Sequence, residues 1–250
     1  MIVAVYAVKG GAGRTTIAVN LAAALGQKHR GDCVLLDLSL PYNHAALVAN
    51  LVPTGCLALC ERPDENHFEE AVLGAGLHHH TGMVVLPSAL RVEQSELVTP
   101  ILVQRALAVL EETFTYIVVD LGVAMTEVTL GVLERANRIL VMVTAELPTL
   151  KDTAELLQIF EKVLDIPPAR VSLVLNHPRP QTMVTRADAE RVVKRPMNME
   201  IAYDGARFDR AAVMGEVLVS TEPSSAAART LIKLASSISD DHKGRSSKRG

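Results

Sequence analysis

Residues 1–22 read MIVAVYAVKGGAGRTTIAVNLA, and the reading of VKGGAGRTT, residues 8–16, decides the fold. A β-branched run, IVAVYAV, precedes the glycines, and a helical pattern, RTTIAVNLAAALGQKH, follows them. In that pattern Ile17, Leu21 and Leu25 recur every four residues and give the helix one buried stripe. A Gly-rich loop between a strand and a helix is a candidate phosphate cradle. Gly10, Gly11 and Gly13 let the backbone turn its N–H groups toward an anion, and the helix adds the positive end of its dipole. With Ala12, Arg14 and Thr16 they form the candidate phosphate-binding set, and the Thr15 hydroxyl is the candidate Mg²⁺ ligand. Arg14 stands where such loops usually carry a lysine. The loop thus belongs to a working hydrolase, a nucleotide-gated switch or a fold that has lost its ligand.

Beyond the loop, strand patterns alternate with helical ones. The strand patterns are CVLLDL, GMVVLPS, TYIVVDL, RILVMVTA, RVSLVLN and NMEIAY. Between them lie amphipathic segments, one of which begins with Thr99 as cap and Pro100 at the first helical position. This order predicts an α/β fold: a doubly wound, mostly parallel sheet with helices on both faces. Hydrophobic residues make up 49% of the 250 and aromatics only 3%, an aliphatic bias that suits strands buried on both faces. Residues 53–82 are less periodic and read as an excursion with a short helix near Phe68. One domain is expected over 1–239, and a disordered charged tail over 240–250.

A net charge of −3 gives no global attraction to nucleic acid or anionic lipid. Cys33, Cys56 and Cys60 form no metal-site spacing and read as reduced thiols. No leader and no membrane-length apolar run is present, so a cytoplasmic protein is expected. His78, His79 and His80 are adjacent on one segment and cannot converge on a metal, because neighbouring side chains point to opposite faces. The basic run RVVKRP reads as a solvated face, so DNA is not expected as a partner. The last helix reads as packed on the domain, with membrane contact at most peripheral.

Lys9 directly before Gly-Gly-Ala-Gly and two threonines resembles the deviant phosphate loop of the ParA/MinD superfamily of P-loop ATPases. VLLDLSLPYNHAAL (34–47) resembles its first switch region, and YIVVDLG resembles its magnesium-organising strand, with Asp120 at the tip. LVLN, ending in Asn176, resembles the adenine-contacting position, and IAYD the segment that closes over the base. The stretches GMVVLPSALRVEQSELVTP and ELPTLKDTAELL look most like the CpaE/TadZ branch, which helps place pilus-assembly machinery at a cell pole.

The resemblance implies ATP and Mg²⁺ as cofactors, with Thr15, Asp37 and Asp120 around the metal. It also implies a nucleotide-sandwich homodimer in which Lys9 reaches the partner's phosphates, and protein partners in a polar or pilus-assembly complex. Lys9 and, more weakly, Asp37 are the candidate catalytic residues. Two departures bear on hydrolysis. Arg14 replaces the loop's second lysine, and Ser39 replaces the aspartate that positions the attacking water. Loss of one such group commonly costs about 100- to 10,000-fold in rate, so slow or absent hydrolysis is expected. The alternatives are a cycling MinD- or ParA-type ATPase for septum positioning or DNA or cargo segregation, and a nucleotide-free scaffold. A cysteine-ligated iron–sulfur relative is set aside because no cysteine lies near Asp120.

Overall fold

The computed structural model describes residues 1–60, 67–180 and 183–246. Its strands are β1 (Ile2–Tyr6), β2 (Cys33–Leu38), β3 (Leu77–His78), β4 (Met83–Pro87), β5 (Tyr116–Leu121), β6 (Arg138–Thr144), β7 (Val171–Asn176) and β8 (Met199–Ile201). The helices are α1 (Arg14–His29), α2 (Ala45–Val48), α3 (Phe68–Gly74), α4 (Pro100–Thr113), α5 (Glu127–Arg135), α6 (Leu147–Lys162), α7 (Arg186–Val193), α8 (Gly205–Met214), α9 (Leu218–Thr221) and α10 (Ala226–Ser246). The eight strands form one sheet in the order β3-β4-β2-β5-β1-β6-β7-β8. Every pairing is parallel except that of β3 with β4. The doubly wound, mostly parallel sheet expected from the sequence is therefore present.

Strand side chains alternate between two cores, so strands read as continuous apolar runs rather than alternating ones. Val3 and Val5 of β1 face the core filled by α1 and α10, with Ile17, Leu21, Leu25, Leu231 and Ile238. Ile2, Ala4 and Tyr6 face the other, with Leu102, Leu107, Val132 and Phe160 of α4, α5 and α6. Helix α1 lies so close on the sheet that a Cβ at Gly26 would sit 2.6 Å from the backbone nitrogen of Met83. Helix α4 starts as its sequence predicts, with the Thr99 side chain accepting from the Leu102 N–H and Pro100 in the first turn.

Three features depart from the sequence expectations. The excursion at 53–82 contains α3, and it also contributes β3, an edge strand of two residues; residues 61–66 lie outside the described set. Helices α8 and α9 fill 205–221, where no helix is expected from the sequence. Finally, α10 continues to Ser246 instead of giving way to a disordered tail at 240. Tertiary contacts hold that extra length: Asp241 pairs with Arg138 of β6 at 2.7 Å, and the His242 ring meets Tyr116 edge-on. The tail's composition is polar, yet its helical register sets these residues against the sheet. Residues 247–250 lie outside the described set, and among the described residues no helix is long and apolar enough to cross a membrane.

Candidate nucleotide site

Strands β1, β2, β5 and β7 end at the same edge of the sheet, and every candidate residue sits there, in the crevice where open α/β sheets bind ligands. The loop between β1 and α1 turns on Gly11 at φ 77° and Gly13 at φ 84°, both left-handed. Gly13 caps α1, whose first hydrogen bond runs from the Ile17 N–H to the Gly13 carbonyl at 2.9 Å. No acidic residue of α1 itself occupies its first turn, so the helix supplies the positive end of its dipole to this loop. The Arg14 Nη1 is buried there with no hydrogen-bond partner. A desolvated guanidinium nitrogen without an acceptor is costly unless an anion completes it. An oxyanion of the phosphate type fits this cradle.

The structure brings Thr15 and Asp120 together. The Thr15 hydroxyl donates to Asp120 Oδ2 at 2.6 Å, and the other carboxylate oxygen, Oδ1, is buried without a partner. Asp37 lies opposite Asp120 in the β2–β5 register. Burial raises the Asp120 pKa well above the usual carboxylate range and the Asp37 charge raises it further, while the Thr15 hydroxyl and Arg14 oppose them. A hydroxyl and an unsatisfied carboxylate oxygen form a donor set suited to a hard divalent cation such as Mg²⁺.

In the ligand-free protein this carboxylate works against the fold. Its folded pKa exceeds the unfolded value, so its stabilising contribution is full below the unfolded pKa and lost as pH rises through the folded one. Asp120→Asn is therefore expected to stabilise the ligand-free chain by about 1–3 kcal/mol at about pH 8 and by much less at about pH 5. Urea unfolding of both proteins at the two pH values checks this.

Asp37 has a different environment. Its Oδ1 accepts from the Ser39 N–H at 3.0 Å, the Ser39 hydroxyl at 2.5 Å and Asn43 Nδ2 at 3.2 Å, and its Oδ2 accepts from the Ala45 N–H at 2.8 Å. Four donors occupy this fully buried carboxylate, which shapes the turn from β2 into α2. Ser39 is engaged in the same turn.

Asn176, at the end of β7, donates from Nδ2 to the Ala12 carbonyl at 2.9 Å and so ties β7 to the phosphate loop. Lys9 forms an ion pair within its own chain, with Asp152 of α6 at 3.6 Å, both side chains about 40% exposed (42% and 43%).

A cavity of about 310 Å³ opens beside the loop, lined by Gly13, Thr16, Asn176, Pro178, Asp204 and Phe208, among others. It adjoins the candidate phosphate cradle and could take a nucleoside-sized group. Asp204 ends the IAYD segment that resembles the one closing over the base, but the sequence reading gave this side chain no role of its own. One of its oxygens pairs with Arg207, and the other, Oδ2, is buried without a partner. That oxygen can accept from a ribose hydroxyl or a base amino group. Two signals mark the helix that follows it: Asp204 at a helix-start position and Gly215, at φ 67°, closing α8.

Comparison with known proteins agrees with this geometry. A family model described as an AAA domain matches residues 1–172. An uncharacterized ATP-binding protein of Methanocaldococcus jannaschii is 22% identical over 237 residues, covering 94% of this chain and 86% of that protein. Among solved structures, a ParA family ATPase from Chlorobium tepidum superposes with a TM-score of 0.82 at 23% identity, covering 94% of this chain and 96% of that one. The septum site-determining protein MinD of Pyrococcus horikoshii, solved as a complex with Mg-ADP, gives a TM-score of 0.76 at 20% identity and 95% coverage of both chains. With more than half of its length matched by the family model, the chain belongs to this AAA-domain family, and its fold is that of the ParA/MinD ATPases.

Proposed function

We propose that the protein is an ATP-binding switch of the ParA/MinD type that uses Mg²⁺, forms a homodimer with ATP, and hydrolyses it slowly or not at all. The buried, unpartnered Arg14 nitrogen at the start of α1 carries this reading. In it, backbone groups of Gly10–Thr16 and the Arg14 guanidinium hold the phosphates. Thr15 and Asp120 hold the metal, which would neutralise phosphate charge. Asn176 and Asp204 face the nucleoside. Two proteins of similar sequence or fold are described as ATP-binding and as a complex with Mg-ADP, which supports the choice of ligand. Isothermal titration with Mg·ATP tests it: sub-millimolar binding that Thr15→Ala weakens is expected, and equal affinity in both proteins would place the ligand elsewhere.

The geometry bears on hydrolysis as well. The Ser39 hydroxyl donates its proton to Asp37, so that position offers a water molecule only a neutral oxygen and no carboxylate charge to orient it. This favours a switch over a cycling ATPase. Assignment to the CpaE/TadZ branch, with a role in localising a pilus or secretion assembly at the cell pole, rests on the sequence stretches at 82–100 and 146–157.

Dimerisation requires Lys9 to leave Asp152. An exposed ion pair of this kind contributes about 0.2–1 kcal/mol. Asp152→Asn is accordingly expected to tighten ATP-dependent self-association by about 1.5- to 5-fold, and Lys9→Ala to weaken it. Sedimentation velocity with and without Mg·ATP reads both. A wild-type mass unchanged by ATP would exclude the dimer while leaving nucleotide binding intact.

A further inference from the structure

A second cavity, of about 270 Å³, lies at the opposite end of the sheet, at the amino ends of β6 and β7. Its polar lining includes Arg138, Arg195, Asn137, Asn198, Ser172 and Asp241. Arg138 is nearly buried, with a side chain 16% exposed. It donates from Nε to Ser172 and from Nη1 to Ser237 and Asp241, while its Nη2 meets no acceptor among the described residues. The need to anchor α10 explains this arginine.

It does not explain Arg195, which is half-buried and donates only from Nη2, to the carbonyls of Pro168 and Val171. No carboxylate among the described residues pairs with it. The cavity thus holds two guanidinium groups and one carboxylate, and that carboxylate is already engaged. Among the side chains of this lining one positive charge is left over, and both arginines keep N–H groups without an acceptor among the described residues.

We propose that this cavity is a binding site for a small oxyanion, a phosphate or carboxylate group, held between Arg195 and Arg138. Planar guanidinium forks match such groups through paired N–H donors. Asp241 partly fills the role of the ligand from within the chain, and its charge opposes the incoming anion. The site is about one sheet length from the phosphate loop and does not depend on the nucleotide reading.

The test is isothermal titration of inorganic phosphate, and separately of succinate, into the full chain at matched ionic strength against chloride. Arg195→Gln is expected to weaken the anion by about tenfold or more, the loss of a charge-assisted contact. Asp241→Asn, which removes the opposing charge, is expected to tighten it by about threefold. Arg195→Lys keeps the charge without the fork and is expected to fall between wild type and Arg195→Gln. Phosphate bound at the Gly-rich loop contributes equally in all four proteins. Tighter phosphate than succinate would assign a phosphorylated ligand, and the reverse a carboxylate one. Heats reproduced by chloride, or affinities unchanged in Arg195→Gln or in Asp241→Asn, would overturn the proposal.

Discussion

Gly13→Val is expected to lower the affinity for Mg·ATP by about 100-fold or more, the equivalent of losing two charge-assisted contacts. The same experiment on Gly11→Ala is expected to show a loss of less than about tenfold. Both glycines have left-handed φ, 84° and 77°, so both substitutions strain the backbone by about 1 kcal/mol. The difference is in what a side chain would meet. At Gly13 a Cβ would sit 2.6 Å from Asn176 Nδ2, the atom that donates to the Ala12 carbonyl. Valine must therefore displace Asn176, break the tie between β7 and the loop, and shift the start of α1. At Gly11 a Cβ meets nothing within 4 Å. Titration calorimetry on the two variants, with circular dichroism to confirm folding, separates a collision from backbone strain. Similar losses in both would show that the cradle does not depend on the Asn176 tie.

The second large effect is on catalysis. Wild type is expected to release phosphate from saturating Mg·ATP at close to the background rate, and the double variant Arg14→Lys, Ser39→Asp about 100-fold faster or more. Each single variant should gain little, since groups that act as a unit are not additive. Arg14 supplies charge but is bulkier than lysine in a tight loop, so binding survives while geometry at the transferred phosphate suffers. Ser39→Asp carries its own cost. It replaces a hydroxyl that donates to Asp37 Oδ1 at 2.5 Å by a second carboxylate, so its melting temperature should fall relative to wild type. A double variant that binds ATP and gains no rate would sink this account of the two departures.

Much of this site was legible in the sequence because short-range rules govern it. Gly13 needs a left-handed backbone, Thr15 follows it on the first turn of α1, and Asp120 lies next to the last residue of a fully buried strand. The strand–loop–helix order alone brings these together. Thr99 and Pro100 fixed the start of α4 in the same local way. The partners of the polar groups were not legible, because the folded chain chooses them. That Asp37 would be saturated by Ser39, Asn43 and Ala45 depends on how the turn after β2 closes. Lys9 finds Asp152 only because α6 runs past the loop. Strand β3 escaped detection since two residues carry no period. Its pairing with Val84 and Val85 is set by the neighbour and not by its own pattern. Helix α8 escaped because it is short and lightly packed: only Ala211 of its ten residues is buried, and Phe208 is half-buried against the core.

The sheet's two outermost strands are among its shortest: β3 has two residues and β8 three. An unpaired strand offers its backbone donors and acceptors to any extended peptide, and short edges blunt that offer. Here neither margin has room for more than a couple of main-chain bonds. Growth of the sheet by strand addition, whether into a filament or an aggregate, therefore has almost no template. A partner must instead be recognised by side chains on the loops at the strand tips or on the helical faces. Those are the surfaces a bound ligand can reshape, and the sheet itself stays a closed frame.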